Sequence, residues 1–466
     1  MPSTYLHKNQ GTPTNAKKFT VSCWFKRGIL SSDSTNSTQR LFQGYKDGND
    51  RLYVKFDNDN KLMLFAAEGG TDRVNWKTTM KFVDPNSWYH LVVVGDSTES
   101  TEADRIKVYV NGVNVDNLGG YTKTTTSITL NMDWGIQLAQ TNNTFTISGN
   151  ESHSELFDGC ITHFHYVDGT AYQASTFGST DATTGEWKIN TSPTLTMGNN
   201  GFTILKDGNT VTDQSSNSND WAIGAGSLLD NKDNPSNNFC VLNSLDKAGM
   251  SNDPLQNKMF NGNLYVSLDS GIKNLARGTL GVTAGKWYWE AKVETKGKGF
   301  YGICNRLAFE TTSAPHDNSA YSGVFYYDAT PDFRYYSGAG ELTTGISSVS
   351  NGDILGFALD MDNKAFYIHK NGTYMNSGDP TSGASRTGSI PGLFSNPLKW
   401  ADYEEVFPAF YVSSTSGAGA ASFNFGNGFF RTTQVSSAQN PDDGIGVFEY
   451  DVPASYRAIT TKGLNA

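Results

Sequence analysis

Most of the chain alternates apolar and polar residues with a period of two, the pattern that buries one side of a β-strand. Residues 19–28, FTVSCWFKRG, place Phe19, Val21, Cys23 and Phe25 on one face of such a strand. Residues 88–96, WYHLVVVGD, form a nearly continuous apolar run, as expected of a central strand in a sandwich. Few stretches have the spacing of an amphipathic helix. The pattern therefore predicts an all-β protein with helix limited to single turns.

Turn signals divide this pattern into hairpins and larger blocks. Residues 52–65 contain two alternating runs around the polar residues 57–60, and residues 106–115 turn at Asn111 and Gly112, the strongest short hairpin signal. A further strand of the first block is predicted within residues 156–169. Residues 190–255 are rich in Asn, Ser and Asp and have little periodicity. They predict an extended connector that packs along a domain through isolated apolar residues such as Trp221 and Phe239.

Composition supports this picture and excludes several classes of protein. The chain has 466 residues, enough for two β domains that each bury a core. The abundance of Gly (48), Tyr (22) and Phe (27) suits tight turns and strands. The net charge of −10, without a dense run of Lys or Arg, argues against nucleic-acid binding and against an anionic membrane surface as partner.

Targeting signals and cysteines predict where the chain folds. No window approaches the ~20 apolar residues of a membrane-spanning helix, so we expect no membrane insertion. Residues 1–15 lack the apolar stretch of a secretory signal. Cys23, Cys160, Cys240 and Cys304 are far apart and form no CxxC pair, which predicts free and mostly buried thiols. Together these features predict folding in a reducing cytoplasm.

The order of motifs in the first block resembles a known family. FTVSCWF (19–25), WYHLVVV (88–94), VYVNG (108–112) and FDG (157–159) before an alternating strand are similar to the laminin-G and concanavalin-like jelly-roll superfamily. The resemblance covers residues 1–189. It implies a two-sheet antiparallel sandwich that binds glycans or proteins, in some members through calcium.

A second, longer series of motifs resembles the SPRY domain. In order they are GKWYWE (285–290), YGI (301–303), GDILGFALD (352–360), FYIHKNG (366–372), FPAF (407–410) and FNFG (423–426). The resemblance covers residues 256–430 and implies a second β-sandwich that acts as a binding module. The predicted fold is thus two concanavalin-like antiparallel β-sandwiches in tandem, at 1–189 and 256–430, with a connector at 190–255 and a C-terminal arm at 431–466.

The combination of these parts resembles structural proteins of marine bacteriophages over nearly the whole chain. That resemblance implies a virion protein of the tail-fibre, tail-appendage or head-fibre type, assembled in the host cytoplasm. It implies two kinds of partner, which are other virion proteins and a host cell-surface glycan or receptor. Because phage fibres are often trimeric, a homo-oligomer is expected, although the sequence has no coiled-coil heptads.

Candidate metal ligands are sparse. His163 and His165, flanked by Asp158 and Asp168, are expected on one side of a strand, but no third strong ligand is placed near them. We therefore assign no metal site, and the family resemblance leaves room for calcium in the first domain as the one candidate cofactor. The acidic residues considered for it and for the C-terminal arm lie in turns without EF-hand spacing: Asp47, Asp50, Asp57, Asp59, Asp442 and Asp443.

Candidate catalytic groups are equally few. A glycosidase needs two carboxylates that face each other across a cleft. Asp360 and Asp362 share one face but adjoin a hairpin turn, and Glu290 is expected to be solvent-exposed or interfacial. The sequence has no GxSxG, HExxH or P-loop motif. We predict that the protein is not an enzyme, with a glycan depolymerase kept as an alternative.

Aromatic residues supply the candidate binding surface. Residues 321–338 are dense in rings, and a strand pair buries only alternate side chains, so some rings are expected outside unless another chain covers them. Tyr and Trp also carry much of the energy of interfaces. The alternative left open is that the rings line the second face of the sandwich or a subunit contact. The candidate ligand-binding residues are Tyr326, Tyr327, Phe333, Tyr335 and Tyr336, with Trp76 and Trp134 in the first domain.

Two functions of different class therefore remain. In the first, the protein is a phage adhesin whose aromatic residues bind a host glycan or receptor. In the second, it is an architectural fibre or capsid decoration protein without ligand specificity, and the same rings serve assembly.

Overall fold

The fold is all-β, as predicted. The structure, a computed structural model, describes residues 4–30, 38–137, 144–206, 208, 210–245, 259–268, 274–305, 323–336, 341–342, 346–390, 405–412 and 418–465. The chain divides into two compact units, Met1–Asp230 and Asn231–Ala466. Within the described ranges, helix is confined to α1 (Thr461–Leu464) and to the short 3₁₀ turns Glu102–Asp104, Val115–Leu118, Ala174–Thr176, Met375–Ser377 and Gly383–Ser385.

Unit 1 is an antiparallel sandwich. Its strands are β1 (Tyr5–Asn9), β2 (Lys18–Arg27), β3 (Gln39–Tyr45), β4 (Arg51–Phe56), β5 (Lys61–Glu68), β6 (Thr71–Lys81), β7 (Trp88–Asp96), β8 (Ile106–Val110), β9 (Val113–Asn114), β10 (Tyr121–Thr126), β11 (Thr144–Ile147), β12 (Gly159–Asp168), β13 (Gly178–Thr180), β14 (Trp187–Ile189), β15 (Phe202–Ile204) and β16 (Ala222–Ala225). The larger sheet has the order β10–β6–β5–β4–β3–β11–β1–β16, and the smaller β15–β12–β2–β7–β8–β9. A separate hairpin pairs β13 with β14.

The core of unit 1 follows the alternation of its strands. Phe19, Val21, Cys23 and Phe25 all lie in the core between the sheets, as the pattern of β2 predicts. The opposite face of β2 is buried too, because residues 170–197 fold across the smaller sheet. At one contact the Thr20 hydroxyl donates to the carbonyl oxygen of residue 170 at 2.9 Å.

The segment predicted as a connector is divided between the two units. Its first part adds an edge strand to each sheet of unit 1, where β15 pairs with β12 and β16 pairs with β1. Asp213 organises this polar segment, because its carboxylate accepts the N–H groups of Thr203 (2.8 Å), Ser215 (2.9 Å) and Asn219 (2.8 Å). Side-chain hydrogen bonds thus order a stretch that lacks hydrophobic periodicity. Residues 240–242 belong to the core of unit 2.

Unit 2 is a second antiparallel sandwich. Its strands are β17 (Met259–Phe260), β18 (Tyr265–Leu268), β19 (Asn274–Arg277), β20 (Lys286–Thr295), β21 (Gly299–Asn305), β22 (Gly323–Tyr327), β23 (Asp332–Tyr336), β24 (Glu341–Leu342), β25 (Ile354–Asp360), β26 (Ala365–Lys370), β27 (Thr373–Tyr374), β28 (Val406–Val412), β29 (Gly419–Asn424), β30 (Phe429–Phe430), β31 (Thr433–Gln434) and β32 (Arg457–Ala458). The larger sheet has the order β17–β18–β29–β20–β25–β26–β27, and the smaller β19–β28–β21–β22–β23–β24. Two further pairings join β30 to β31 and β32, in parallel, to β20.

The C-terminal residues pack on unit 2. The inward face of β20 carries Trp287, Trp289, Ala291 and Val293 into the sandwich core, as its pattern predicts. The outward face of the same sheet is covered by residues from the segment 445–458, which forms a second apolar cluster there. No helix in the described part of the chain is long and apolar enough to span a membrane.

Candidate ligand-binding surface

The outer face of the larger sheet of unit 1 carries a row of polar and aromatic side chains. Strand register aligns Gln43, Tyr53, Phe65 and Asn75 across β3, β4, β5 and β6. The residues that alternate with them along these strands point into the core. Because neighbouring strands lie ~4.8 Å apart, the row is roughly 14 Å long. On this side, away from the core, Tyr53 and Asn75 are half-buried, whereas Gln43 and Phe65 are buried by their neighbours.

Tyr53 and Phe65, at the centre of this row, and two arginines beside them form what we call the Arg–aromatic cluster: Arg40, Tyr53, Phe65 and Arg51. The rings of Tyr53 and Phe65 stack with centroids 5.0 Å apart. The Arg40 guanidinium lies 4.0 Å from the Tyr53 centroid, and the Arg51 guanidinium 5.1 Å from the Phe65 centroid. A planar cation is attracted to a ring face. These contacts fix side chains that would otherwise be free to move on a surface.

The two arginines of the cluster differ in their partners. Arg40 is buried and forms ion pairs with Glu155 at 2.5 Å and with Glu151 at 3.9 Å. The Arg51 guanidinium donates instead to the carbonyl oxygen of Gly48 at 2.7 Å, in an exposed hydrogen bond. It forms no ion pair with an acidic side chain in the part of the chain that is described. Arg51 therefore keeps donors for a ligand at the surface.

The other cations near the cluster are neutralised by the protein itself. The Lys77 ammonium lies 2.7 Å from Asp57 and 3.3 Å from Asp59, and Arg73 lies 2.6 Å from Glu68. Burial lowers the pKa of Lys77, but hydrogen bonds to the two carboxylates outweigh it and raise that pKa overall. Lys77 and Arg73 are thus paired with carboxylates, whereas Arg51 has no acidic partner among the described residues.

The chemistry of this surface suits a ligand with hydroxyl groups. Burial raises the pKa of Tyr53, which keeps its phenol protonated and able both to donate and to accept. The amide of Asn75 and the guanidinium of Arg51 add planar hydrogen-bonding groups beside apolar ring edges. A sugar ring presents the complementary set of hydroxyls and C–H groups. One feature of the sequence points to this surface. Aromatic residues occupy outward positions in two adjacent strands predicted at residues 52–65.

The candidate aromatic residues of unit 2 whose side chains the structure describes are buried, whereas the sequence predicted exposed rings. Tyr326 and Phe333 lie in the sandwich core, and Tyr327 stacks on Phe300 at 4.3 Å on the other face of β22. All five residues of β22 are buried, so both faces of this strand are covered. The assumption that alternate rings must be exposed was wrong for this strand. The side chains of Tyr335 and Tyr336, also predicted to bind ligand, lie outside the described residues.

The two tryptophans predicted as ligand contacts in the first domain are core residues. Trp134 is fully buried, and its indole N–H donates to the carbonyl oxygen of Lys17 at 2.9 Å. Trp76 lies in the same core cluster and donates to the Thr126 hydroxyl at 2.7 Å. Both satisfy their one polar group within the protein, so neither presents a ring face to a ligand. The prediction that both side chains bind ligand came from the polar residues next to them in the sequence.

The two histidines considered for a metal are separated by a bulge. His163 has a left-handed φ of 49° at a register shift between β12 and β2, so the alternation assumed for them is interrupted. His165 is buried, hydrogen-bonded to Thr203 at 2.8 Å, and burial lowers its pKa to about 3. Among the described residues, no group of three or more His, Cys, Asp and Glu side chains could hold a metal ion.

A serine–histidine pair in unit 1 has the geometry of a catalytic dyad but the wrong proton arrangement. The Ser22 hydroxyl lies 2.9 Å from His90 Nε2, and the indole N–H of Trp187 donates to His90 Nδ1 at 3.0 Å. Because an indole only donates, Nδ1 must accept, and the ring proton is on Nε2. The histidine therefore donates to the serine and is not its general base.

Glu290 is a buried carboxylate with a raised pKa in unit 2, and the expectation that it is exposed or interfacial was wrong. It is fully buried, and burial raises its pKa to about 7 despite four hydrogen bonds that favour its charged form. The donors are the Tyr288 hydroxyl (3.1 Å), the Asn424 amide (3.1 Å) and the backbone N–H groups of Glu449 and Tyr450 (2.9 Å each). Every partner is part of the protein, so this is a structural site.

The other acidic pair considered for catalysis is also used structurally. Asp360 is buried, pairs with Lys286 at 3.2 Å and accepts two hydrogen bonds from Asn363. Asp362 accepts the N–H of Gly285 at 2.8 Å. Both carboxylates hold turns at the ends of β20 and β25, as the hairpin interpretation predicts.

Residues 3–174 match the family described as the concanavalin A-like lectin/glucanases superfamily. A search of curated proteins found no match to the chain. The matched residues include the Arg–aromatic cluster, and similarity to a lectin-like domain suggests a binding function. It agrees with the resemblance of the first block to laminin-G and concanavalin-like proteins.

Solved structures similar to parts of the chain include two SPRY domains and a pentraxin. The SPRY domain of human HERC1 is 18% identical, covers 34% of this chain and 87% of its own, and has a TM-score of 0.25. The TRIM65 PSpry domain is 11% identical, with 40% and 91% covered and a TM-score of 0.25. The heptameric SAP-like pentraxin from Limulus polyphemus is 15% identical, with 44% and 89% covered and a TM-score of 0.27.

Proposed function

We propose that the protein is a non-enzymatic adhesin of a phage particle, which binds a host cell-surface glycan through the Arg–aromatic cluster of unit 1. The observation that carries this proposal is Arg51. It is a half-buried guanidinium held against an aromatic stack, with one exposed hydrogen bond to a backbone carbonyl and no acidic partner among the described residues. A sugar hydroxyl or carboxylate would complete its hydrogen bonding.

The buried polar groups support binding over catalysis. The carboxylates of Glu290 and Asp360 and the Ser22–His90 pair are enclosed by the protein, and their hydrogen bonds are made to its own groups. A catalytic carboxyl must instead reach its substrate. A glycan depolymerase would need an acidic pair across an open cleft. We likewise propose that binding requires no cofactor, so chelation of calcium should leave it unchanged.

The phage setting of the proposal rests on the sequence resemblance to structural proteins of marine bacteriophages. It would place the chain on the virion, next to other virion proteins and as a homo-oligomer, of which a trimer is one form. Repetition of a weak glycan site on such a particle would raise its avidity without any new contact.

The test is a binding assay of the purified full chain on intact host cells and on their isolated surface polysaccharide. We expect Arg51→Ala with Tyr53→Ala to weaken binding by about 30-fold or more, because charged and aromatic groups at the centre of an interface contribute most of its energy. The matched control is Arg431→Ala, since Arg431 is exposed and, like Arg51, lies over an aromatic ring, 4.3 Å from the centroid of Tyr265, on unit 2. We expect this control to bind as the wild type does.

Each alternative predicts a different result from the same assay. If the wild type binds neither cells nor polysaccharide, the adhesin proposal fails and the architectural function takes its place. Release of reducing sugar ends from the polysaccharide would instead indicate a depolymerase. Equal losses in Arg431→Ala and in the cluster variant would show that Arg51 and Tyr53 are not the site.

A further inference from the structure

The row of outward side chains that holds the Arg–aromatic cluster continues beyond it across the same sheet. Register aligns Tyr53 of β4 with Gln43 of β3. Gln43 in turn aligns with Thr146 of β11, which aligns with His7 of β1. Leu6, next to His7, lies in the core, so His7 is on the outer face. Three strand spacings separate His7 from Tyr53, a distance of roughly 14 Å.

A second group of rings, which we call the His–Tyr patch, lies at the far end of this row: Tyr5, His7 and His153. The rings of Tyr5 and His153 stack with centroids 4.1 Å apart and an angle of 11° between their planes. The ring of His7 approaches His153 edge-on at 6.4 Å. His153 is exposed, and Tyr5 and His7 are half-buried. The patch therefore presents aromatic surface to a ligand.

Two features of the backbone position the rings of the patch. Strand β16 passes so close to Tyr5 that a Cβ added to Gly224 would lie 2.0 Å from Cε2 of the Tyr5 ring, an approach that only glycine allows. His153 has a left-handed φ of 56° in a turn that Asn150 closes. The carbonyl oxygen of Asn150 accepts the N–H of His153 at 3.0 Å, and its side-chain oxygen accepts the N–H of Ser154 at 2.9 Å. The exposed ring is thus held by an ordered turn.

The surface between the Arg–aromatic cluster and the His–Tyr patch is polar and partly open. A second row of outward side chains runs beside the first, in which Arg51 aligns with Tyr45. Tyr45 aligns with Thr144, and Thr144 with Asn9. Tyr45 and Thr144 are half-buried, and Asn9 is exposed. Their phenol, hydroxyl and amide groups can all donate and accept hydrogen bonds, as the hydroxyls of a sugar chain do.

The charged side chains that border this surface are paired within the protein. Glu155 forms an ion pair with Arg40 at 2.5 Å, and Glu151 accepts a hydrogen bond from the Gln43 amide at 2.9 Å. Both carboxylates come from the segment 149–155, which also carries His153. An ionic group on the middle of a bound chain would meet charges of both signs. The surface between the two groups of rings therefore favours a chain whose middle units are uncharged and rich in hydroxyls.

We propose that unit 1 binds an extended polysaccharide chain, with the Arg–aromatic cluster and the His–Tyr patch as the two ends of its binding site. The proposal rests on the glycan-binding function proposed above, and it adds the length of the ligand and a second group of contact residues. A single sugar unit can stack on only one of the two groups of rings. When one chain reaches both groups, the second contact becomes intramolecular, and the affinity rises without any new kind of interaction.

The test measures the affinity of the full chain for fragments of the isolated host surface polysaccharide, graded from disaccharides to chains longer than ~14 Å. We expect the wild type to bind long fragments at least about 30-fold more tightly than disaccharides. In His153→Gly most of this gain should be lost, whereas disaccharide binding should be unchanged. Glycine adopts the left-handed φ of this position without strain, so the change removes the ring and keeps the turn. Arg51→Ala with Tyr53→Ala should weaken the binding of both lengths.

Ser152→Gly is the matched control for His153→Gly. Ser152 is exposed in the same turn, and its N–H donates to the side-chain oxygen of Asn150 at 3.0 Å. The substitution introduces the same residue one position earlier and removes no ring. We expect Ser152→Gly to keep the wild-type dependence of affinity on fragment length, and thermal unfolding should show that both variants are folded.

The possible results separate this proposal from the glycan-binding function on which it rests. Binding that needs Arg51 but is equal for short and long fragments would overturn the extended site and leave the glycan function intact. An unchanged length dependence in His153→Gly would exclude the His–Tyr patch from the site. An equal loss in Ser152→Gly would assign the effect to the turn and not to the ring. Binding to no fragment would overturn the glycan function and the extended site together.

Discussion

Replacing Glu290 by Ala should lower the free energy of unfolding of unit 2 by about 3–5 kcal/mol, among the largest single-residue effects expected in this chain. The substitution removes the acceptor of four hydrogen bonds and leaves their donors, two of them backbone N–H groups, without a partner. A buried donor without an acceptor costs about 1–3 kcal/mol, and partial entry of water reduces the sum. Urea unfolding of the full chain would measure the loss, with hydrogen exchange assigning it to unit 2.

A second glutamate of β20, four residues further along the strand, supplies the control for this prediction. Glu294 lies on the same strand and accepts one hydrogen bond, from the Ser422 hydroxyl at 2.5 Å, in a half-buried position. Glu294→Ala should therefore cost about 1 kcal/mol or less. Equal losses in the two variants would mean that the four hydrogen bonds of Glu290 add nothing to stability beyond the single one of a half-buried carboxylate.

The burial of Glu290 shows where sequence periodicity stops being informative. The pattern of β20 correctly predicts which face enters the core, since Trp287, Trp289, Ala291 and Val293 all do so. Periodicity describes only the two faces of one strand. Its usual interpretation assumes that the polar face is exposed to solvent. Whether that face is covered depends on residues 445–458, more than 150 positions away along the chain. That contact has no counterpart in the local pattern.

The aromatic strand β22 illustrates the same difficulty. The rule that a strand buries alternate residues holds when one face meets water. Here Tyr326 points into the sandwich core while Phe325 and Tyr327 pack with Phe300 and Tyr411 on the opposite face. A strand covered on both sides has a continuous apolar and aromatic run in its sequence, and residues 324–327, VFYY, are such a case. For β22, the continuous apolar run predicts burial better than the rule of alternating positions does.

The candidate site of unit 1 could have been found in part from the sequence. Tyr53 and Phe65 fall on the polar side of two strands that the pattern predicts as a hairpin, and outward aromatic residues are unusual enough to mark a surface. The arginines could not be paired with these rings in the same way. Arg40 reaches Tyr53 from a neighbouring strand, and only the register of β3 against β4 brings them together.

Trp134→Ala should destabilise unit 1 by about 3–5 kcal/mol, the usual cost of emptying the site of a buried Trp or Phe side chain. Its ring meets Phe19 edge-on at 5.6 Å and closes over Gly95, where an added Cβ would lie 2.9 Å from Trp134. The substitution also leaves the carbonyl oxygen of Lys17 without the indole donor. Thermal unfolding with hydrogen exchange of unit 1 peptides would measure the effect.

The same variant separates a core residue from a ligand contact. If Trp134 served a ligand, its loss would reduce glycan binding while leaving stability nearly unchanged. If Trp134 is a core residue, its loss should reduce stability and leave glycan binding unchanged. Trp134→Ala, assayed at a temperature where it stays folded, should then bind as the wild type does. Trp134→Phe should recover most of the stability, because a smaller ring fills much of the cavity but cannot donate to Lys17. Loss of glycan binding in a Trp134→Ala protein that is as stable as the wild type would contradict the core assignment.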